Sequence, residues 1–303
     1  VPDLVPGLTA MTLLITGGGG QLALALDAAA ARAGIPAVRI GRPDFDFDRP
    51  ETVATLDAIP ATLLVNAAAY TAVDAAETDA DAAYRANAEG PALLARFCAG
   101  RGIPLVHVST DYVFDGSKGA PYVETDPTAP LGVYGASKLA GEATALAAWR
   151  RTLILRTAWV YSATGRNFAR TMLNAARKTS KLRVVADQIG CPTTAADLAE
   201  AIIAIAPRLM TEWRDEYAGI YHAAGAGWTS WHGLALALFE DAARHGLPTP
   251  TVDAVTTADW PTPVRRPADS RLDGTKLAEV FGVRLPDWRG SVTPVVDAFF
   301  AAS

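Results

Sequence analysis

The chain has 303 residues, 50% of them hydrophobic and 19% charged, which at roughly 100–200 residues per domain suits one large domain or two smaller ones. Its 27 Lys and Arg against 32 Asp and Glu leave a net charge of −5, and with no basic cluster along the chain a nucleic-acid or other polyanionic partner is not expected. Cys98 and Cys191 are too few and too far apart for a disulfide framework or a zinc site, and the most apolar stretch, 198–210, is broken by Glu200, Pro207 and Arg208, short of the ~20 apolar residues that span a bilayer. The expectation is a soluble cytoplasmic protein with no membrane partner.

Residues 1–10, VPDLVPGLTA, hold two prolines and no basic n-region, so they are expected to be an extension ahead of Met11 and not a signal peptide. From Met11 short apolar runs alternate with longer Ala-rich segments. The runs at 12–16, 36–40, 62–66, 104–109, 152–156 and 182–186 predict strands. Segments 21–33, 78–100, 135–150, 167–178 and 195–206 predict the helices between them. Strands joined by helical crossovers make a parallel sheet covered on both faces. Past about residue 210 tryptophans and prolines become dense and the alternation is lost. The fold expected is therefore α/β: a Rossmann-type doubly wound parallel sheet mainly over 11–210, with 158–180 a candidate contributor to a smaller C-terminal α/β substrate domain, which is mainly 211–303.

The first run leads directly into Gly17, Gly18, Gly19 and Gly20, with Ala23 three residues on. Gly17-x-x-Gly20-x-x-Ala23 and Gly18-x-Gly20-x-x-Ala23 both fit a dinucleotide fingerprint, in which glycines allow the turn and the approach of pyrophosphate to backbone. The helix that follows presents its N-terminal N–H groups to the phosphate charge. An NAD-specific site usually places a carboxylate at the end of the second strand; here Arg39-Ile40-Gly41-Arg42 stands there. A guanidinium suits a 2′-phosphate, so NADPH is expected to be accepted at least as well as NADH, unless both arginines are simply solvated charges. Asp46 and Phe47 follow as candidates to flank the adenine.

Tyr134 and Lys138 lie four apart at the start of a predicted helix, on one face of it. A tyrosine titrating near 10 is a poor acid at neutral pH, and an adjacent ammonium lowers its pKa. Ser109-Thr110-Asp111 follows the fourth strand, at the sheet edge where ligands bind. A hydroxyl there can hydrogen-bond a reacting carbonyl oxygen while the tyrosine supplies a proton.

Taken together, TGGGGQLA, LLVNAAAYTAVDAAE, HVSTDYVFDG, APLGVYGASKLAGE, ILRTAWVY, NFARTML, DQIGCPT and PTPVRRPADSRLD resemble the dTDP-4-dehydrorhamnose reductases of the extended short-chain dehydrogenase/reductase superfamily, from about Met11 to Trp288. The resemblance implies NADPH-dependent reduction of the C4 ketone of a nucleotide sugar, dTDP-4-dehydro-L-rhamnose. It makes Tyr134 the proton donor, has Lys138 lower the pKa of Tyr134 and bind the nicotinamide ribose, and has Thr110 hydrogen-bond the substrate oxygen. Asp111 and Trp159 would contact the sugar. Gly17, Gly20, Gln21 and Leu22 would line the pyrophosphate, with Ala67, Ala68, Ala69, Tyr70 and Thr71 along the cofactor groove. Some members form a magnesium-bridged dimer through glutamates; the matching positions are Ala25, Ala196 and Ala298, and alanine cannot ligate a hard cation. A monomer, or a weak metal-independent dimer, with no metal needed for the chemistry is the expectation. The alternatives are another dTDP-4-keto-6-deoxysugar reductase and a non-catalytic NADP-binding regulatory subunit of the same fold.

His107 and His222 could each be a titrating catalytic group, but both are read as structural; the C-terminal tryptophans could stack on the thymine base, with most of them read as core or hinge packing. Arg265 and Arg266 could hold a diphosphate or form an interdomain ion pair.

Overall fold

The computed structural model describes residues 11–302; the expected extension at 1–10 lies outside the described residues. Six strands, β1 (Leu13–Thr16), β2 (Ala37–Ile40), β3 (Leu63–Asn66), β4 (Leu105–Thr110), β5 (Thr152–Thr157) and β6 (Gly219–His222), pair in parallel in the order β2-β1-β3-β4-β5-β6. The runs LLIT, LLVN and TLILRT are buried along their whole length, as central strands covered on both faces must be. β2, at the edge, is half exposed.

Among the crossover helices are α1 (Gln21–Arg32), α2 (Gly90–Arg101), α3 (Val133–Ala148) and α4 (Ala195–Thr211). Period-two alternation divides the apolar residues of β1 between two layers. Leu13 and Ile15 pack with Leu22 and Leu26 of α1 and Ile202 of α4. Leu14 packs with Leu94 and Ala95 of α2 and Ala145 of α3. A second core joins Leu173, Leu234, Leu238, Val292 and Val296, from the helices Phe168–Ala176, Trp231–Ala243 and Trp288–Ala301. This is the Rossmann-like sheet with a smaller C-terminal α/β unit that the alternation predicts.

Two expected elements differ. The run at 182–186 does form a strand, Lys181–Val185, but it pairs in parallel with Thr251–Val255 in a separate two-stranded sheet. The sixth place in the large sheet belongs to β6, beside β5. The single helix expected over 78–100 is Ala80–Tyr84, a π-helical turn at Arg85–Glu89, then α2. The π turn carries Asn87 against α3, which comes so close that a Cβ on Gly141 would collide with the Asn87 carbonyl. Among the described residues no helix is long and apolar enough to cross a membrane.

Candidate active site

The chain leaves β1 toward β2 on one side, while β3 lies on the other, so a crevice opens at the C-terminal ends of β1 and β3, where open α/β sheets bind ligands. The glycine turn enters it with Gly17 at φ 118° and Gly18 at φ 50°. A Cβ on Gly17 would stand 3.0 Å from the Ala67 carbonyl carbon and oxygen, so the two loops touch backbone to backbone. Gly20 caps α1 without a side-chain hydrogen bond. The first N–H groups of that helix are therefore left for an anion. Arg39 does not join the crevice as expected: its guanidinium donates to the Gly18 carbonyl at 2.6 Å and pairs with Asp27. Arg42 does line it, beside Asp46 (3.2 Å) and Asp48 (3.7 Å).

The crevice widens into a cleft of about 1230 Å³ that runs from the Gly17–Gly20 turn, past Arg42, Asp46 and Phe47, along 67–71, to Thr110, Asp111, Tyr134, Lys138 and Trp159. Gln21 and Leu22 line it as well, so the candidate residues from the glycine turn to Trp159, Arg39 excepted, border one continuous space. Buried amides that the sequence reading passed over hold its walls. Asn66 Oδ1 accepts from Thr16 Oγ1 (2.7 Å) and from the Ala68 N–H (3.1 Å). Asn87 Oδ1 accepts from the Tyr70 N–H (2.9 Å), and its Nδ2 donates to the Tyr70 carbonyl (3.0 Å) and to Ser137 Oγ (3.0 Å). Asn87 thus ties the 67–71 loop to α3. An amide inside an Ala-rich helix gives little signal in the sequence; the π turn that aims it is a tertiary feature.

At the far end, Tyr134 and Lys138 project from the first two turns of α3 toward the end of β4. Lys138 is buried, and its Nζ donates to the Val108 carbonyl at 2.6 Å. Burial brings its ammonium down to about 8, against an opposing pull from Glu142. Tyr134 behaves differently from expectation: burial pushes its phenol up to about 12, the Thr110 hydroxyl counters this, and the charge of Asp111 adds to it. The phenol therefore holds its proton at neutral pH. Thr110 Oγ1 donates to Asp111 Oδ1 at 3.0 Å, and burial raises the Asp111 carboxyl to about 6 against hydrogen bonds from Ser270 and Thr110. Trp159, at φ 49°, stacks on Trp231 with ring centroids 3.6 Å apart. Trp231 and Phe168 also border the cleft, so Trp231 does more than pack the core. Arg266 forms an ion pair with Asp74 at 2.8 Å, the second of its two expected roles, and Arg265 is exposed.

The model of the RmlD substrate binding domain matches residues 11–300. A dTDP-4-dehydrorhamnose reductase of Sinorhizobium fredii is 45% identical over 94% of this chain and 97% of its own, and one from Escherichia coli is 40% identical over 97% and 99%. This chain belongs to the dTDP-4-dehydrorhamnose reductase family. Solved reductases of the family superpose closely. That of Clostridium acetobutylicum has a TM-score of 0.87 at 33% identity, covering 95% of this chain and 99% of that one. That of Bacillus anthracis, in complex with NADP, has 0.86 at 30%, covering 97% and 100%. As a member of the reductase family the chain is an oxidoreductase with an NAD(P)-binding fold, and its uncapped α1 and side-chain-free turn suit a dinucleotide.

Proposed function

We propose that this protein reduces the C4 ketone of dTDP-4-dehydro-L-rhamnose to dTDP-L-rhamnose, using NADPH and accepting NADH. The observation that carries the reading is the meeting of Tyr134 and Lys138 with Thr110 and Asp111 in the same cleft as the glycine turn. Gly17, Gly20, Gln21 and Leu22 would hold the pyrophosphate, Arg42 with Asp46 and Phe47 the adenosine end, and 67–71 the groove between. When bound, the reduced nicotinamide supplies hydride to the ketone carbon. Tyr134, protonated at neutral pH, donates its proton to the ketone oxygen. The Thr110 hydroxyl turns from Asp111 to hydrogen-bond that oxygen, stabilising charge where it develops. Asp111 and Trp159 hold the sugar, and Lys138 holds the ribose and returns a proton to Tyr134.

The test is NMR identification of the product after incubation with the dTDP-keto-sugar and NADPH. dTDP-L-rhamnose is the expected product. A C4 epimer would make the protein another dTDP-4-keto-6-deoxysugar reductase, and tight NADP binding without turnover would make it a non-catalytic relative.

A further inference from the structure

A chain of hydrogen bonds runs beneath the floor of the cleft from β1 to α3. Its direction is fixed at one end by a backbone amide. The Ala68 N–H can only donate, so the Asn66 atom it meets at 3.1 Å is the oxygen. Asn66 Nδ2 then points at His107 Nδ1, 2.9 Å away, and must donate to it. His107 is wholly buried, and burial together with the Lys138 charge holds its imidazole well below the usual range. The ring is neutral with Nδ1 as acceptor, so its single proton sits on Nε2. That Nε2–H faces Lys138 Nζ at 3.4 Å. Toward an ammonium this is donor against donor; toward an amine it is a hydrogen bond.

We propose that His107 is a positioning residue for Lys138: fixed by Asn66 as the Nε2–H tautomer, it favours the neutral amine that Lys138 becomes on passing a proton toward Tyr134. The inference rests on the reductase reading for its consequence, not for its geometry. After Tyr134 has given its proton to the substrate oxygen, the phenolate takes one from the Lys138 ammonium. The amine left behind accepts the His107 N–H until solvent restores its proton. On α3, Tyr134 stands a turn before Lys138 and Glu142 a turn after, and Glu142 is the charge that opposes the lowering of its pKa. Glu142 is committed to Arg156 of β5, so it cannot follow the lysine's change of charge.

The first measurement is the nitrogen NMR spectrum of protein labelled in its four histidines, with His107 assigned by loss of its signals in His107→Gln. Protonation at Nε2 is expected, and protonation at Nδ1 overturns the proposal whether or not the protein is a reductase. Asn66→Asp places an acceptor opposite Nδ1, should move the proton there, and turns an acceptor toward the ammonium. The limb of the kcat–pH profile that belongs to Lys138 should then rise by about one unit. An unmoved limb with the tautomer reversed overturns the proposal. Glutamine can accept from Asn66 and donate to Lys138, so His107→Gln should retain kcat within a few-fold, whereas His107→Phe should lose about tenfold or more in kcat with little change in KM. Equal losses in both would mean that His107 only fills space.

Discussion

Arg156 of β5 and Glu142 of α3 face each other through two parallel hydrogen bonds, Nε to Oε1 at 2.9 Å and Nη2 to Oε2 at 2.6 Å, with both side chains only 2% exposed. Glu142 Oε1 also accepts from Ser109 Oγ of β4 at 2.5 Å. One carboxylate thereby holds the helix that carries Tyr134 and Lys138 to the two strands beneath it. Removing one partner strands a buried charge, so Glu142→Ala should cost about 3–5 kcal/mol, while replacing both partners by apolar residues of similar volume should cost far less. Urea unfolding of the single and double variants checks this.

Tyr134→Phe removes the hydroxyl proposed to donate the proton and keeps the ring, which packs edge-on to Tyr112 at 5.5 Å. A loss of ~10²–10⁴-fold in kcat is expected, with NADPH affinity retained in a fluorescence titration. A variant keeping more than half of the wild-type kcat would remove Tyr134 from the role.

With Arg39 engaged by the glycine turn, Arg42 is left to line the cleft where the adenosine is proposed to lie. Asp46 and Asp48 beside it temper its charge. Arg42→Ala should therefore raise the KM for NADPH more than that for NADH. Equal rises would show that Arg42 does not read the 2′-phosphate.

The Asp111 carboxyl, raised by burial from 3.8 to about 6, prefers its proton in the fold. Its contribution to stability is fully present below about pH 4 and is lost as pH rises through 6. Asp111→Asn, which cannot ionise, should melt higher than wild type at pH 8, by a margin on the order of 1–3 kcal/mol that closes as pH falls toward 4. A margin independent of pH would place the effect elsewhere. Sugar binding should weaken in the same variant.

Divalent metal should be dispensable. Ala25, Ala196 and Ala298 supply no ligand oxygens at the positions matched to the metal-bridging glutamates. EDTA is expected to leave the rate unchanged and light scattering to give the monomer mass. A magnesium-dependent dimer reversed by EDTA would contradict this.

The strands that read most clearly, LLIT, LLVN and TLILRT, do so because a strand covered on both faces needs a run rich in apolar residues. The glycine turn and the Tyr-x-x-x-Lys pair read clearly because each depends on neighbours a few residues apart. The composition and local spacing of this sequence thus determined the α/β class, most of the crossover helices and many of the residues that border the cleft. Tertiary structure decided the rest. It placed β6 and not 181–185 in the sheet, since an apolar run specifies burial and not its partner. It drew Arg39 away from the crevice and sent Tyr134 upward in pKa, since burial disfavours the phenolate. It also directed the hydrogen bonds of Asn66 and His107, because the polarity of that chain is set by one backbone N–H, at Ala68, that no side-chain pattern reveals.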